Sequence, residues 1–277
     1  MTLNYPVGYS RGLKPRRDDL RGRFRRFRDR DRQRPGPDPQ PYVEPDQDDL
    51  DSPPAESWDS ITDADEQPDL GKFITGFKDQ ENNGSCGAEG TTQFTEVLRR
   101  QRGMNYVELN PLSLYHYTSG GVDRGSGVDE NLVYAQSTGI VPMDDRDRSK
   151  GFLTPVSEAN QATAMDYRIG ECFDVEDQAD FAHALMLGYP VVFGWDAHCV
   201  CAVKLLRSHK GTRYFKAAGS WGAWVDPWER ERRYRVDTDF RDYLRSEITP
   251  GYHLLSLDEP EIERYGAWAG RTVTWDK

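Results

Sequence analysis

Helix-forming and strand-forming patterns in this chain divide at Pro190, and that division limits the folds open to it. Before Pro190 the periodic segments are helical. Residues 88–102 place Phe94, Val97 and Leu98 on one stripe and stop at Gly103. A second amphipathic helix is predicted behind Asp174. Asp177 follows three residues on, Phe181, Ala184 and Leu185 keep helical spacing, and Gly188-Tyr189-Pro190 closes it. After Pro190 come short β-rich runs at 191–195, 199–206, 213–218, 234–236 and 252–257, separated by glycine-bearing and charged loops. Helices followed by strands predict an α+β arrangement, with the strands in an antiparallel sheet or partly open barrel.

The first sixty-nine residues differ in kind from residues 70–277. Residues 11–34 are crowded with arginine, broken by aspartates and by Phe24 and Phe27. Residues 37–69 carry acidic groups and no Lys or Arg, interleaved with Pro37, Pro39, Pro41, Pro45, Pro53, Pro54 and Pro68. Segregated charge, prolines and low hydrophobicity leave too little apolar surface to offset chain entropy, so 1–69 is predicted to be a disordered or conditionally folded tail. The remainder is long enough for a sizeable core. A net charge of -11 argues against nucleic-acid binding by the whole chain. The basic arm alone is a candidate contact for a polyanion or a protein, or for its own acidic half.

Reactive chemistry concentrates at Cys86. It lies in Gln80-Glu81-Asn82-Asn83-Gly84-Ser85-Cys86-Gly87-Ala88, directly before the first helix. A helix N-terminus carries roughly half a positive charge, which favours thiolate over thiol. Gln80 stands where its side-chain amide supplies an oxyanion donor. Thiol catalysis also requires a base that takes the sulfur proton and later returns it to the leaving group. His198 opens the apolar run Cys199-Val200-Cys201-Ala202-Val203, where a rigid strand would fix its ring.

These segments resemble the papain-like cysteine peptidases. In that register Gln80 takes the oxyanion-hole position, Cys86 the nucleophile position and His198 the base position. Ala88 matches, while Gly87 replaces the usual aromatic residue. Phe215-Lys216-Ala217-Ala218-Gly219-Ser220-Trp221-Gly222 is similar to the family strand that ends in Asn-Ser-Trp-Gly. Ser220, Trp221 and Gly222 match, and Trp221 falls on the tryptophan that screens the histidine from water. Gly219 stands where the family has the asparagine that orients the histidine, a task left to a backbone carbonyl, a water or Asp196. Looser matches at 109–115, 125–127, 131–135 and 139–140 extend the resemblance over about residues 73 to 257. The Gly125-Ser126-Gly127 turn corresponds to one that lines the non-primed subsites.

The resemblance implies a two-lobed papain-like fold with the site in the cleft between lobes. It implies hydrolysis of peptide or isopeptide bonds through an acyl-enzyme, with no cofactor and a protein or peptide substrate. The alternative is a catalytically inactive papain fold used for binding or assembly, with the charged tail as its arm. Gly219 and Gly87 favour that alternative, and the joint presence of Gln80, Cys86 and His198 opposes it.

Other features read as structural. Cys172, Cys199 and Cys201 are too few for a disulfide scaffold, and the last two alternate along a strand as core thiols. No spacing offers a closed zinc site, so no metal is expected. Asp144, Asp145 and Asp147 alternate with Arg146, Arg148 and Lys150, which predicts an exposed, self-neutralising loop. Trp224 and Trp228 are expected to fill the β lobe. His116, His183, His209 and His253 carry no nucleophile motif. Residues 1–13 lack a secretory apolar core, and no segment is long enough to cross a bilayer, so the sequence predicts a cytoplasmic location.

Overall fold

The helix that begins at Cys86 is the pivot around which the two lobes pack. The computed structural model describes residues 12–21, 23–29, 67–143, 155, 157–222, 238–247, 249–258 and 260–274. The pivot helix, α1 (Cys86–Gln101), is buried from Cys86 through Arg99, charged and polar positions included. Gly103, at φ 78°, turns the chain away after it. α2 (Pro111–Ser119) is capped by Asn110, whose side chain accepts the Ser113 N–H, and carries proline in its first turn. α3 (Val128–Ser137) and α4 (Glu158–Thr163) complete the helical lobe.

α5 (Gln178–Met186) corrects the predicted start of the second helix. Its cap is Asp177, which accepts the Asp180 N–H at 2.9 Å, whereas Asp174 belongs to a strand. Both aspartates satisfy the cap pattern in sequence, but only one also lies clear of a strand pairing. α6 (Thr238–Glu247) and the single turn α7 (Ile262–Tyr265) lie among the later strands.

Among the described residues seven strands form one sheet in the order β1-β2-β7-β3-β4-β5-β6. They are β1 (Arg25–Arg26), β2 (Cys172–Asp174), β3 (Val191–Trp195), β4 (His198–His209), β5 (Thr212–Ala218), β6 (Tyr252–Ser256) and β7 (Ala267–Gly270). All pairings are antiparallel except β1 with β2. β3 to β6 occupy the predicted runs within one to three residues. The β7 strand was not predicted, and it inserts between β2 and β3, pairing with both. The predicted strand at 234–236, Trp224, Trp228 and the charged loop at 144–150 lie outside the described residues.

The sheet separates two apolar cores, and strand alternation assigns side chains to them. Val192, Cys199, Cys201 and Val203 face α1 and the helical lobe. Val191, Phe193, Val200, Ala202 and Leu205 face α5, where Phe181, Phe193 and Phe215 pack ring against ring. Cys199 and Cys201 are therefore core thiols on the α1 side. No helix among the described residues is long and apolar enough to cross a membrane.

Part of the basic arm is ordered by contacts with the body that its composition does not announce. Residues 12–21 and 23–29 lie on the body: Phe24 and Phe27 are buried, and β1 extends the sheet. Arg16 forms a two-pronged pair with Asp174, and Arg28 reaches Asp177 and Asp180. Two aromatics and a set of body carboxylates supply the order that the arm's composition lacks. The acidic half, residues 37–66, lies outside the described residues.

Candidate active site

Cys86 is the first residue of α1, with Ser85 as the cap. Its sulfur is fully buried, and backbone N–H groups of Gly12, Cys199 and Gly87 face it. Burial pushes the thiol up to about 11, against the opposing pull of those N–H groups. Contact with the Cys199 N–H places the sulfur against the start of β4.

A two-residue turn fixes His198. Trp195 pairs with His198 across the β3–β4 hairpin, and Asp196 and Ala197 in the turn have φ of 45° and 60°. The Asp196 N–H donates to Glu261 Oε2 at 2.8 Å, which pins the turn. Trp221 stacks on the His198 ring with centroids 4.1 Å apart. Burial, and secondarily the neighbouring His253, hold His198 well below the usual histidine range, so the ring is neutral in this closed arrangement. Neither ring nitrogen has a hydrogen-bond partner among the described residues.

Gln80 and Ser220 tie the lobes together beside this pair. The Gln80 N–H donates to the Ser220 carbonyl at 2.9 Å, and Ser220 Oγ donates to Gln80 Oε1 at 2.8 Å. Gln80 Nε2 donates to the Asn83 carbonyl at 2.8 Å, so both ends of the amide are oriented. Asp79 and Trp221 bridge next to them. The structure thus brings Gln80 to Ser220 and Trp221 to His198, and sets the Cys86 sulfur against the Cys199 N–H, while neither His198 ring nitrogen is bonded to that sulfur. Gly219 precedes Ser220, with no side chain to offer.

Gly87 is glycine because the turn at 125–127 closes on it. A Cβ there would stand 2.8 Å from Asn131 Nδ2 and 2.9 Å from the Ser126 carbonyl oxygen. Asn131 is held by bonds to Ser126 Oγ and the Gly127 carbonyl and has little room to retreat. Gly87→Ala is expected to lower stability by about 1–3 kcal/mol despite the better helix former. The check is the shift in denaturation midpoint.

The arm crosses this site, a feature the sequence did not suggest. Leu13 bridges Ser126 in parallel, and the Ser126 N–H donates to the Gly12 carbonyl at 3.0 Å while Lys14 N–H donates back to Ser126. The Leu13 N–H donates to the Ala197 carbonyl, next to His198. Gly12 presses so closely on Gly84 and Gly125 that a Cβ on Gly12 or on Gly125 would overlap the backbone of the other segment. Residues 12–14 therefore form a strap between the 125–127 turn and the β3–β4 turn, directly over the sulfur. Among the described residues no cluster of His, Cys, Asp and Glu is arranged to hold a metal ion.

No protein-family profile and no curated protein sequence matches the chain. Solved structures do. Xylellain, a cysteine protease from Xylella fastidiosa, superposes with a TM-score of 0.62 at 16% identity, covering 100% of both chains. Digestive procathepsin L 3 from the larval midgut of Tenebrio molitor gives 0.53 at 17% identity over 75% of this chain and 69% of its own. The procathepsin B S9 of Trypanosoma congolense gives 0.52 at 17% identity, covering 85% and 83%. With the helix-borne cysteine, the antiparallel sheet and these likenesses together, the chain has the papain-like cysteine protease fold.

Proposed function

We propose that the protein is a cysteine peptidase whose dyad is Cys86 and His198, held in a closed state by its own strap. The observation that supports this reading is the placement of Cys86 at the head of α1 beneath the strap, against the N–H of Cys199, the residue after a His198 that stacks on Trp221. In the open state the Cys86 sulfur attacks the carbonyl carbon of a peptide or isopeptide bond, and His198 holds the sulfur proton. The developing oxyanion sits against the Cys86 N–H and the Gln80 side-chain amide. Collapse breaks the C–N bond, His198 passes its proton to the departing amine, and a thioester remains. Water, deprotonated by His198, then cleaves the thioester and returns the thiol.

The orientation of Gln80 by Ser220 supports an oxyanion donor in place before substrate arrives. Trp221, stacked on His198, supports a ring shielded from water. The test is alkylation of Cys86 by a peptidyl epoxide in the Leu13→Asp chain, which frees the strap, with and without His198→Ala. Single labelling at Cys86 that is lost without His198 is expected. In the same background Gln80→Ala is expected to lower turnover of a fluorogenic peptide by about 100-fold or more, with little change in labelling. Labelling indifferent to His198 would remove the dyad and leave the fold as a binding module, the reading that Gly219 by itself favours.

A further inference from the structure

We infer that His253 replaces the missing asparagine as the positioning residue for His198. The inference rests on the dyad proposed above and goes beyond it by naming what holds the base. His253 lies on β6 opposite Ala217 of β5, and the pairing continues to Gly219, whose N–H donates to the Gly251 carbonyl. Residues 217 and 219 project to the same face of β5, so a side chain at 253 leans over position 219. A Cβ built on Gly219 would stand 2.2 Å from His253 Nε2 and 2.8 Å from its Cδ2. The imidazole therefore fills the volume that a side chain at 219 would need. Gly219 and His253 form a matched exchange: the glycine is required by the histidine, and the histidine occupies the place of the absent amide.

Its surroundings aim that ring at the dyad. His253 is buried, meets Trp195 at 5.3 Å and stands edge-on to Trp221 at 5.3 Å between centroids. Trp221 is the residue stacked on His198, and the His198 and His253 rings are themselves 6.4 Å apart at 73°. The second histidine thus backs both the base and its tryptophan shield. It is neither a surface residue nor an isolated core histidine. Through this packing it fixes the tilt of Trp221 and the direction of His198. Its nearness also helps hold His198 below the usual histidine range.

The exchange is tested by swapping the pair in the Leu13→Asp chain, reading peptide turnover and the pH profile of Cys86 alkylation. His253→Ala is expected to lower turnover by about 10- to 100-fold and to displace the limb of the profile that reports His198. Gly219→Asn alone is expected to lose activity, because the new Cβ meets His253. Gly219→Asn combined with His253→Ala restores an amide to the vacated volume and is expected to recover at least about tenfold over His253→Ala. Circular dichroism and melting temperature confirm that each chain folds. Unchanged turnover and pH profile in His253→Ala, or a double variant no better than His253→Ala, would overturn the inference while leaving the dyad intact. Absence of His198-dependent labelling in the parent would overturn the dyad and the inference with it.

Discussion

Replacing Leu13 with Asp is expected to raise the alkylation rate of Cys86 at neutral pH by several hundred-fold. In the closed state the sulfur is buried under Gly12 and titrates at about 11. Exposure alone brings a thiol to its ordinary range near 8.5, a gain of roughly 300-fold in thiolate at pH 7. Access for the reagent and the charge of the helix end add to that factor. Leu13 is the apolar anchor of the strap, buried against Gly194 and the helical-lobe core. A carboxylate there has no partner and is driven into water. Residues 18–29 keep their own attachments through Phe24, Phe27 and Arg28, so the change lifts the strap without dismantling the sheet. The pH dependence moves as well. Labelling of the parent climbs toward pH 11, whereas labelling of Leu13→Asp levels off several units lower. Equal rates in the two chains, measured by intact mass over time, would remove the strap from the control of the thiol.

The second expectation concerns a carboxyl one turn into α1. Burial pushes Glu89 up to about 8, with Lys78 pulling the other way and Asp79 and Glu96 adding to the rise. Its Oε1 accepts from Ser85 Oγ at 3.3 Å, whereas Oε2 has no hydrogen-bond partner among the described residues. The nearby lysine is committed elsewhere: Lys78 Nζ lies 2.6 Å from Glu96 Oε1, which also accepts the Leu109 N–H. Glu89 thus keeps its proton in the folded state up to about pH 8, while an unfolded glutamate loses it near 4.3. Between those values the folded chain binds more protons than the unfolded one, so stability falls as pH rises. The loss is on the order of 5 kcal/mol across the window. Glu89→Gln mimics the protonated carboxyl and is expected to flatten that slope, stabilising the protein most at pH 8 and above. Denaturant titrations at pH 5 and pH 8 test it, and an identical slope in both chains would contradict the assignment.

Much of the site was legible because its residues sit where local pattern changes. Cys86 starts a helix and His198 starts a strand, and both boundaries show in the alternation of apolar residues. Gln80 and Ser220 were legible only through resemblance, since nothing in their composition announces the hydrogen bonds between them. His253 was passed over for a different reason. It sits mid-strand with no motif, and only the register of β6 against β5 shows that it leans over Gly219. The β7 strand is a short run of small residues and one tryptophan, and its strand character comes from being clamped between β2 and β3. The contacts of the arm were not legible because composition reports self-sufficiency. Arg16, Arg17 and Arg28 are ordered by Asp174, Glu130 and Asp180, carboxylates remote in sequence that no local window contains.

The place of β7 sets an order of events during synthesis. The sheet cannot close around β2 and β3 until residues 267–270 have been made, because β7 lies between them. Just past the strap the arm makes a bond to this late region, from the Arg16 N–H to the Arg264 carbonyl, and Arg16 also lies over the Trp268 ring. The arm is made long before the last of its seats. Until then the strap is held only by its bonds to Ser126 and Ala197, and a nascent chain halted before residue 264 would cover its cysteine less firmly than the finished protein does.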